Sequence, residues 1–387
     1  MKIVFLHPNL TQMAGTERVI IDKINYLAEK SGYEIVILTY EHGGHPIAYP
    51  ISPKVTHIDL NICFYQLYNY NRLFRLYNKS KLTKKLQKKF DAFVIKFKPD
   101  IIVTVTYYVE ALKTIARCPY QAVRMLESHV DKRFLLSNDP TVKQDFITQM
   151  RLFYENWGVN HYAKQFDLLV ALTQADANNW SKYLNTRVIT NMVHVNKGTY
   201  HSNLQNKRVI FAGRYSPEKG IDDLFKIWAI VYQKHPDWQL DLYGTGTLYD
   251  ELNAKAKMMN INITIHNPTE DIFGKYMESS ILVLSSIFEA FGLVIVEAMS
   301  CGLPVVSFDC PFGPRNIITE GHDGFLIPDR NIHAFANRIC QLIESEGLRY
   351  KIGQNAIQTA KKYYPEVIIP QWVSLYEELT NQNKHEE

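Results

Sequence analysis

Two carboxylates, Glu289 and Glu297, lie eight positions apart in a segment that is otherwise mostly apolar. The preceding run 281–284 is typical of a buried strand, whereas the apolar positions in 293–299 fit a helix better than an alternating strand. Glu289 is therefore predicted on the turn and Glu297 inside the helix. A helix that begins near residues 291–293 points backbone N–H groups and the positive end of its dipole at the turn, which favours an anion such as phosphate. Carboxylates beside that anion could hold hydroxyl groups, so the predicted ligand is a nucleotide sugar or a similar molecule.

Arg214 and Lys219 are five positions apart on a predicted turn that follows the strand 208–212. A guanidinium grips phosphate oxygens through paired donors and an ammonium adds a point charge, so together they suit a diphosphate. A surface Arg and Lys considered alone are usually just solvated. A helix start suited to phosphate is predicted one strand along, and this favours the diphosphate interpretation.

Two glycine-containing loops follow other predicted strands. Gly244 and Gly246 end a strand at the same edge, where the backbone could approach a nucleotide, although a single GxG is more often only a tight turn. Gly15 precedes a predicted amphipathic helix and would let the backbone come close to a ligand. Because the loop lacks GxGxxG, it is not a dinucleotide fingerprint, and no cofactor is expected.

His129 comes directly after another predicted strand, at the edge where parallel sheets bind ligands. Glu127 and Ser128 could orient its imidazole. A single histidine is more often structural or exposed than functional, so both interpretations stay open from these residues alone.

Short apolar runs alternate with longer amphipathic stretches from end to end, a pattern typical of βαβ units and parallel sheets. The predicted fold class is α/β, with two doubly wound, Rossmann-like domains facing each other across a cleft. Residues 1–190 are assigned to the first domain and 205–367 to the second, and the polar stretch 196–207 is interpreted as a linker or a surface excursion. Strands are predicted at 2–6, 34–39, 101–105, 123–126, 168–172, 208–212, 239–243, 263–266, 281–285 and 304–308.

The composition narrows the class of protein. At 387 residues the chain is longer than one core usually supports, and 46% hydrophobic with 21% charged residues is typical of a folded globular protein. A net charge of +4 is too small to indicate nucleic-acid binding without a concentrated patch. The 5 scattered cysteines lack CxxC spacing, and the first apolar run is too short for a signal peptide. A cytoplasmic protein is expected, with peripheral attachment to the inner face of the cell membrane left open.

Taken together, these motifs resemble the retaining glycosyltransferases of family 4, also called glycosyltransferases group 1, whose two-domain fold is known as GT-B. The resemblance covers nearly the whole chain, and although a single E-x7-E is common, the ordered set is specific. The set consists of Gly15-Thr16-Glu17, Ser128-His129, Gly213-Arg214, Lys219-Gly220, Gly244-Thr245-Gly246, the pair Glu289 and Glu297, and the run 301–306.

The resemblance implies a role for each matching side chain. Arg214 and Lys219 would hold the donor diphosphate and neutralise it as it leaves. Glu289 would bind hydroxyls of the transferred sugar, and Glu297 would bind the ribose of the nucleotide. His129 would contact the sugar near the reacting carbon.

Backbone groups and the chain terminus also have implied roles. N–H groups of Phe291, Gly292 and Leu293 would reach the phosphate and the sugar, and the loop of Gly15 would approach the donor phosphate. The terminal segment 368–387 would pack back onto the first domain.

The implied reaction moves a hexose from a nucleoside diphosphate, expected to be UDP, to a hydroxyl of a glycan acceptor, expected to be lipid-linked, with retention at the anomeric carbon. Such a reaction belongs to cell-surface polysaccharide or glycoconjugate assembly. Glu289 would position the sugar rather than act as a glycosidase nucleophile. The sequence has no DxD pair, so metal-independent transfer is expected. Two departures from the family pattern, Ala14 for glycine and Asn316 for glutamate, leave the site residues unchanged.

Residues 64–98 are aromatic at first and then strongly basic. Such a stretch suits an anionic membrane surface, at roughly 1 kcal/mol per basic residue near the lipid. A solvated helix face explains the same pattern equally well. Membrane docking through this segment would bring the enzyme to a lipid-linked acceptor.

Two other functions fit parts of the pattern. A nucleotide-sugar epimerase can share the two-domain fold but would act without an acceptor, and an inactive partner subunit of a glycan-assembly complex would not turn over at all. The complete set of Glu289, Glu297, Arg214 and Lys219 favours transfer over both.

Overall fold

The chain folds into two compact units, each with its own parallel sheet. The structure is a computed structural model that describes residues 1–387 except 12–14, 70, 131, 133–145, 194–200 and 387. One unit consists of Met1–Met192 with Ile368–Glu387, and the other of Val193–Val367. The predicted α/β class with two Rossmann-like parallel-sheet domains is confirmed.

Within the described ranges, the sheet of the first domain has 7 parallel strands. They are β1 Lys2–His7, β2 Glu34–Thr39, β3 Val55–Asp59, β4 Ile101–Val105, β5 Val123–Ser128, β6 Leu168–Ala171 and β7 Asn185–Val188. Their order is β3-β2-β1-β4-β5-β6-β7. The strand order reverses between β1 and β4, and doubly wound sheets bind ligands beside such a switch point, at the carboxyl ends of the strands.

The second sheet has 6 strands in the described residues, also all parallel. They are β8 Arg208–Ala212, β9 Gln239–Tyr243, β10 Ile263–His266, β11 Ile281–Leu284, β12 Val305–Phe308 and β13 Gly324–Ile327. Their order, β10-β9-β8-β11-β12-β13, reverses between β8 and β11. The loops that follow these two strands carry Arg214, Lys219 and Glu289.

Helices alternate with the strands along most of the chain. They are α1 Gly15–Lys30, α2 Arg72–Phe97, α3 Val109–Ala116, α4 Phe146–Ala163, α5 Gln174–Trp180, α6 Ile221–Lys234, α7 Tyr249–Met259, α8 Ile272–Met277, α9 Leu293–Ser300, α10 Gly313–Ile317, α11 Ile332–Glu344, α12 Glu346–Ala360 and α13 Pro365–Glu386. Short 3₁₀ helices lie at Phe64–Asn69, Pro217–Lys219 and Lys361–Tyr363. None of these helices in the described part of the chain is long and apolar enough to cross a membrane.

The first domain has a core on each side of its sheet. Ile3 and Phe5 point to one face of β1, while Val4 and Leu6 point to the other, because successive strand residues alternate between faces. All of them are buried, as expected for a parallel sheet covered on both sides. The terminal helix α13 contributes its apolar face to the same core as Ile3, through Ile368, Ile369, Trp372, Leu375 and Tyr376.

Every strand predicted from the sequence is present, with ends shifted by at most a residue or two. The strands that were missed, β3, β7 and β13, all lie at sheet edges. An edge strand has one neighbour and stays partly exposed, so β3 and β7 carry polar residues that hide the apolar pattern. β13 is only 4 residues long and begins with Gly324.

Residues 201–207 of the stretch interpreted as a linker or a surface excursion belong to the second domain, and most of them are exposed, as expected for a surface excursion. Leu204 is buried at 3% exposure, and its carbonyl accepts a hydrogen bond from Arg349 Nε at 3.0 Å. The Ser202 N–H donates to the Cys301 carbonyl at 2.9 Å. One apolar side chain and two backbone anchors therefore attach this polar stretch to the second domain.

Candidate active site

Glu289 lies on the turn between β11 and α9, as predicted. It forms an isolated parallel bridge with Phe312, and the Gly313 N–H donates to the Glu289 carbonyl at 2.7 Å. A Cβ on Gly313 would overlap the Phe291 carbonyl oxygen, so only glycine allows the two loops to come so close. The backbone of the neighbouring loop therefore fixes the turn that carries Glu289.

Lys219 meets Glu289 in the second domain. Its Nζ lies 2.6 Å from Glu289 Oε2, and each side chain is 15% exposed. Ser286 Oγ donates to the same carboxylate oxygen at 3.3 Å. An ammonium has three N–H donors, so Lys219 keeps donors available for an anion while it neutralises Glu289.

Lys219 is held in place through its backbone. Ser285 Oγ donates to the Lys219 carbonyl at 2.9 Å. The next residue, Gly220, has a φ of 60°, and a Cβ there would overlap the Ser285 carbonyl oxygen. The turn after β8 is thus packed directly against the end of β11, which explains why Lys219 reaches Glu289.

The start of α9 has the properties expected of an anion site. Gly292 precedes the helix with a φ of 91°, and a Cβ there would lie 2.8 Å from Ile295 Cδ1. No side chain caps the helix within the described residues. Its first-turn N–H groups and its dipole favour a negative group beside Glu289. The predicted helix start near residues 291–293 is confirmed.

Glu297 lies inside α9, also as predicted, but in different surroundings from Glu289. It is 3% exposed, and Tyr276 Oη donates to its Oε2 at 3.3 Å. The two carboxylates are therefore not a symmetric pair, because one lies on a partly exposed turn and the other is buried in a helix.

Arg214 does not join Lys219 and Glu289 in this structure. Its side chain is 68% exposed, and Nη2 lies 3.5 Å from Glu218 Oε1. Such an exposed ion pair contributes little free energy, so the guanidinium is free to exchange partners.

The glycines of the GxG loop serve to bring two loops into contact. A Cβ on Gly244 would overlap the Gly213 carbonyl oxygen, and one on Gly246 would overlap the Tyr215 carbonyl oxygen. The Tyr215 N–H also donates to the Thr245 carbonyl at 2.8 Å. The loop after β9 thus supports the loop that carries Arg214.

In the first domain, His129 is oriented by Glu127, as the sequence suggested. His129 Nε2 lies 3.0 Å from Glu127 Oε2, and because a carboxylate accepts, Nε2 donates. His129 is 7% exposed, and its Nδ1 is buried without a hydrogen-bond partner in the described structure. Ser128 does not orient His129, since its Oγ donates to Asp176 Oδ2 at 2.6 Å.

Lys23, which was not identified from the sequence, is a second partner of Glu127. Its Nζ bonds Glu127 Oε1 and lies 4.0 Å from the ring centre of Trp372 on α13. Burial alone would raise the pKa of Glu127, but the charges of Lys23 and His129 outweigh burial and lower it to about 2. Glu127 is therefore a carboxylate at neutral pH and holds His129 in a fixed orientation.

His7 is a second buried histidine at the carboxyl edge of the first sheet. Its Nδ1 lies 2.6 Å from the Asn9 carbonyl oxygen, which can only accept, so Nδ1 carries the proton. Burial lowers the pKa of His7 to about 4. A histidine at the end of a strand was the available signal in the sequence, and it was missed.

Gly15 is the exposed first residue of α1, and Ala14 lies outside the described residues.

A family of known proteins matches the part of the chain that carries the candidate site of the second domain. Residues 196–359 match the family described as Glycosyl transferases group 1. The chain is 27% identical over 376 residues to an uncharacterized glycosyltransferase of Haemophilus influenzae, covering 96% of this chain and 98% of that protein. It is 25% identical over 389 residues to the amylovoran biosynthesis glycosyltransferase AmsD of Erwinia amylovora, with the same coverage.

The second domain is a group 1 glycosyltransferase domain. The matched range includes Arg214, Lys219, Glu289 and Glu297, so the predicted group 1 glycosyltransferase family is confirmed for this domain. Among solved structures, TarM of S. aureus, in complex with fondaparinux, alpha-GlcNAc-glycerol and UDP, aligns with a TM-score of 0.75 at 16% identity over 97% of this chain and 99% of that one. This likeness shows the GT-B fold class alone.

Asn316, interpreted from the sequence as a departure from the family pattern, lies close to the turn of Glu289. Asn316, on α10, donates through Nδ2 to the Phe312 carbonyl, and Phe312 is the bridge partner of Glu289. The Asn316 carbonyl accepts from Tyr363 Oη at 3.2 Å. Asn316 therefore braces the loop beside Glu289 without touching the carboxylate.

Proposed function

We propose that this chain is a retaining, hexosyltransferase-type glycosyltransferase of family 4 that moves a sugar from a UDP donor to a lipid-linked glycan acceptor. The observation that carries the proposal is the contact of 2.6 Å between Lys219 Nζ and Glu289 Oε2 beside the start of α9. AmsD is named for amylovoran biosynthesis and TarM was solved with UDP, which supports a role in polysaccharide or glycoconjugate assembly and a UDP donor.

The diphosphate, the sugar and the ribose of the nucleotide-sugar donor each have a proposed binding group in the second domain. Lys219 and the N–H groups of Phe291, Gly292 and Leu293 bind the diphosphate and the sugar. Arg214 exchanges its exposed contact with Glu218 for a phosphate oxygen. Glu289 then accepts hydrogen bonds from sugar hydroxyls, and the buried Glu297 accepts them from the ribose.

In the reaction, the bond between the anomeric carbon and the phosphate oxygen breaks, and a bond to the acceptor oxygen forms on the same face of the sugar. The acceptor proton passes to an oxygen of the departing phosphate. Lys219, Arg214 and the dipole of α9 stabilise the negative charge that develops there. Because these cations replace a metal, the proposed transfer is metal-independent. Glu289, already paired with Lys219, positions the sugar and forms no covalent intermediate.

The first domain contributes His129 and the loop of Gly15. His129 contacts the sugar near the reacting carbon, and its orientation depends on the ionised carboxylate of Glu127. Gly15, at the start of α1, approaches the donor phosphate.

The donor assignment is tested by thermal unfolding with a panel of nucleotide sugars, because a ligand that binds the folded state raises the apparent stability. A UDP-sugar should raise the melting temperature more than its GDP or ADP counterpart. Equal shifts for all bases would contradict the UDP assignment. The anomeric configuration of the product, measured by NMR, tests retention, and undiminished turnover in EDTA tests metal independence.

Two further outcomes separate this function from the alternatives. An epimerase would convert a nucleotide sugar without an acceptor, and an inactive subunit would bind it without turnover. Acceptor-dependent release of UDP excludes both. Release of an epimerised sugar in the absence of acceptor would contradict transfer.

We also propose that α2 docks the protein, a cytoplasmic enzyme, on the inner face of the cell membrane, where a lipid-linked acceptor is presented. Phe74 and Tyr77 are 59% and 69% exposed at its amino-terminal end. Exposed lysines follow along the helix at positions 81, 84, 85 and 88. Lys89 is excluded from this surface because its Nζ donates to the Leu60 carbonyl at 2.6 Å.

Flotation with anionic liposomes tests this docking surface. Neutralising Lys84, Lys85 and Lys88 to Gln should reduce binding, since each basic residue near an anionic lipid contributes about 1 kcal/mol. The control neutralises three exposed lysines of the second domain, Lys257, Lys361 and Lys362. Equal flotation of the wild type and the α2 variant would contradict membrane docking.

A further inference from the structure

Arg330 joins β13 to α11 and reaches across the second domain to the end of β11. Its Nη2 donates to the Ser285 carbonyl at 3.1 Å and to the Ser286 carbonyl at 2.8 Å. These are the first two residues after β11, and Glu289 follows three positions later. The guanidinium thus fixes the backbone at the beginning of the turn that carries Glu289.

The other contacts of Arg330 hold the guanidinium in a single orientation. Nη1 lies 3.2 Å from Asp223 Oδ2, Nε lies 2.7 Å from Asp329 Oδ1, and the guanidinium carbon lies 4.0 Å from the ring centre of Phe308. The backbone of Arg330 has a φ of 58°, which is uncommon for a residue other than glycine. Such a conformation persists only where the surroundings determine it strongly.

The two serines that Arg330 anchors are the same two that hold the site residues. Ser285 Oγ donates to the Lys219 carbonyl at 2.9 Å, and Ser286 Oγ donates to Glu289 Oε2 at 3.3 Å. Arg330 binds their carbonyls, whereas Lys219 and Glu289 use their hydroxyls. The Arg330 guanidinium is therefore linked to Lys219 through Ser285 and to Glu289 through Ser286.

Gly220 shows how closely these segments are packed. A Cβ at this position would lie 2.9 Å from Arg330 Nη1 and would overlap the Ser285 carbonyl oxygen. The turn of Lys219, the end of β11 and the Arg330 guanidinium meet here without room for a methyl group. A change at Arg330 is therefore transmitted to both Lys219 and Glu289.

We propose that Arg330 is a positioning residue of the donor site, which sets the separation of Lys219 and Glu289 by anchoring the carbonyls of Ser285 and Ser286. The inference rests on the proposed function, since it assigns Arg330 to the same donor site. A planar guanidinium can donate to two carbonyls and a carboxylate at once, whereas the ammonium of lysine has no such fixed fork.

The first experiment compares Arg330→Ala with a matched control, Arg338→Ala. Arg338 also has a carboxylate partner, Glu320, and a ring contact, to Phe325 at 4.6 Å, but lies on α11 away from β11. With a UDP-sugar as donor, Arg330→Ala should lose about 10- to 100-fold in kcat/KM, because small misplacements of site groups cost rates of that order. Arg330→Lys should recover part of this loss, and millimolar guanidinium should rescue only Arg330→Ala. Activity of Arg330→Ala equal to that of Arg338→Ala would overturn the inference.

A double-mutant cycle distinguishes positioning from general destabilisation. Because Arg330 acts through both Glu289 and Lys219, the loss caused by Arg330→Ala should be smaller in the Glu289→Ala background than in the wild type. Independent, multiplying losses would overturn the inference.

Hydrogen exchange tests the same inference without relying on turnover. In Arg330→Ala the amides of residues 286–292 should exchange at least 10-fold faster than in Arg338→Ala, and unchanged protection would overturn the positioning role. If the wild type releases no UDP from any UDP-sugar while this exchange effect is present, the proposed function fails and the structural role of Arg330 stands.

Discussion

Lys23 and Glu127 form an ion pair inside the first domain, with their side chains only 3% and 2% exposed. The ring of Trp372 lies against Lys23, with its centre 4.0 Å from Nζ, so the terminal helix α13 closes this pair off from solvent. Glu127 also binds His129, so the pair supports a residue that is proposed to contact the sugar.

Replacing Lys23 by methionine should therefore be strongly destabilising. Removing one partner of a buried ion pair leaves the other charge uncompensated, which typically costs about 3–5 kcal/mol. Urea unfolding measures the change in free energy. Adding Glu127→Gln to Lys23→Met should restore part of the loss, because the uncompensated carboxylate is then gone. The control is Lys54→Met, since Lys54 pairs with Glu29 at the surface with 56% of its side chain exposed. A loss in Lys23→Met no larger than that in the control would contradict the buried pair.

His7 should make the stability of the protein depend on pH. Burial lowers the pKa of His7 from 6.5 to about 4, so the unfolded chain takes up this proton at a higher pH than the folded one. The stability that His7 contributes is complete above pH 6.5 and is lost as the pH falls from 6.5 to 4, up to about 3 kcal/mol.

The variant His7→Asn should flatten this part of the stability curve. Asparagine can still donate to the Asn9 carbonyl but does not titrate. Thermal unfolding of both proteins between pH 7 and pH 4 measures the difference. Parallel curves for the two proteins would show that folding does not lower the pKa of His7.

Much of the fold could be predicted because its signals are local. Apolar runs alternating with amphipathic stretches predicted the parallel sheets, and the run after β11 placed Glu289 on a turn and Glu297 in a helix. The edge strands β3 and β7 were missed because their exposed positions are polar. Lys23 and Arg330 were missed because their partners are 104 and 45 positions away, and neither spacing leaves a pattern in the sequence.

Gly313 should be intolerant of even a single methyl group. In Gly313→Ala the Cβ would overlap the Phe291 carbonyl oxygen and lie 2.9 Å from the Glu289 carbonyl oxygen. Both neighbours are backbone atoms, which cannot move aside as a flexible side chain could. The turn that carries Glu289 must therefore shift. We expect a lower melting temperature together with weaker binding of UDP.

Gly347→Ala is the matched control for this glycine. A Cβ at Gly347 meets nothing within 4 Å, and the residue lies in α12. Alanine favours a helix by up to about 1 kcal/mol over glycine, so this variant should be slightly more stable, with unchanged UDP binding. Calorimetric titration with UDP compares the two, and equal affinities would show that the turn does not depend on Gly313.

The two cations of the proposed donor site should differ in which kinetic constant their removal changes. Lys219 lies 2.6 Å from Glu289 and is mostly buried, whereas Arg214 is 68% exposed and only loosely paired. Lys219→Ala should lower kcat by on the order of 100-fold or more, because a fixed donor at the departing phosphate acts mainly in the transition state. It should leave folding intact, as should Glu289→Ala, which we expect to abolish most transfer.

Arg214→Ala should instead act mainly on donor binding. Arg214 must break its contact with Glu218 and become ordered before it can bind a phosphate oxygen. Its removal should therefore raise KM for the nucleotide sugar with a smaller change in kcat. Steady-state kinetics of Lys219→Ala, Lys219→Arg and Arg214→Ala with one donor and one acceptor separate the two effects. Lys219→Arg keeps the charge but not the shape of the ammonium, so it should recover little. A Lys219→Ala enzyme with wild-type kcat would show that the contact with Glu289 serves the fold and not the reaction.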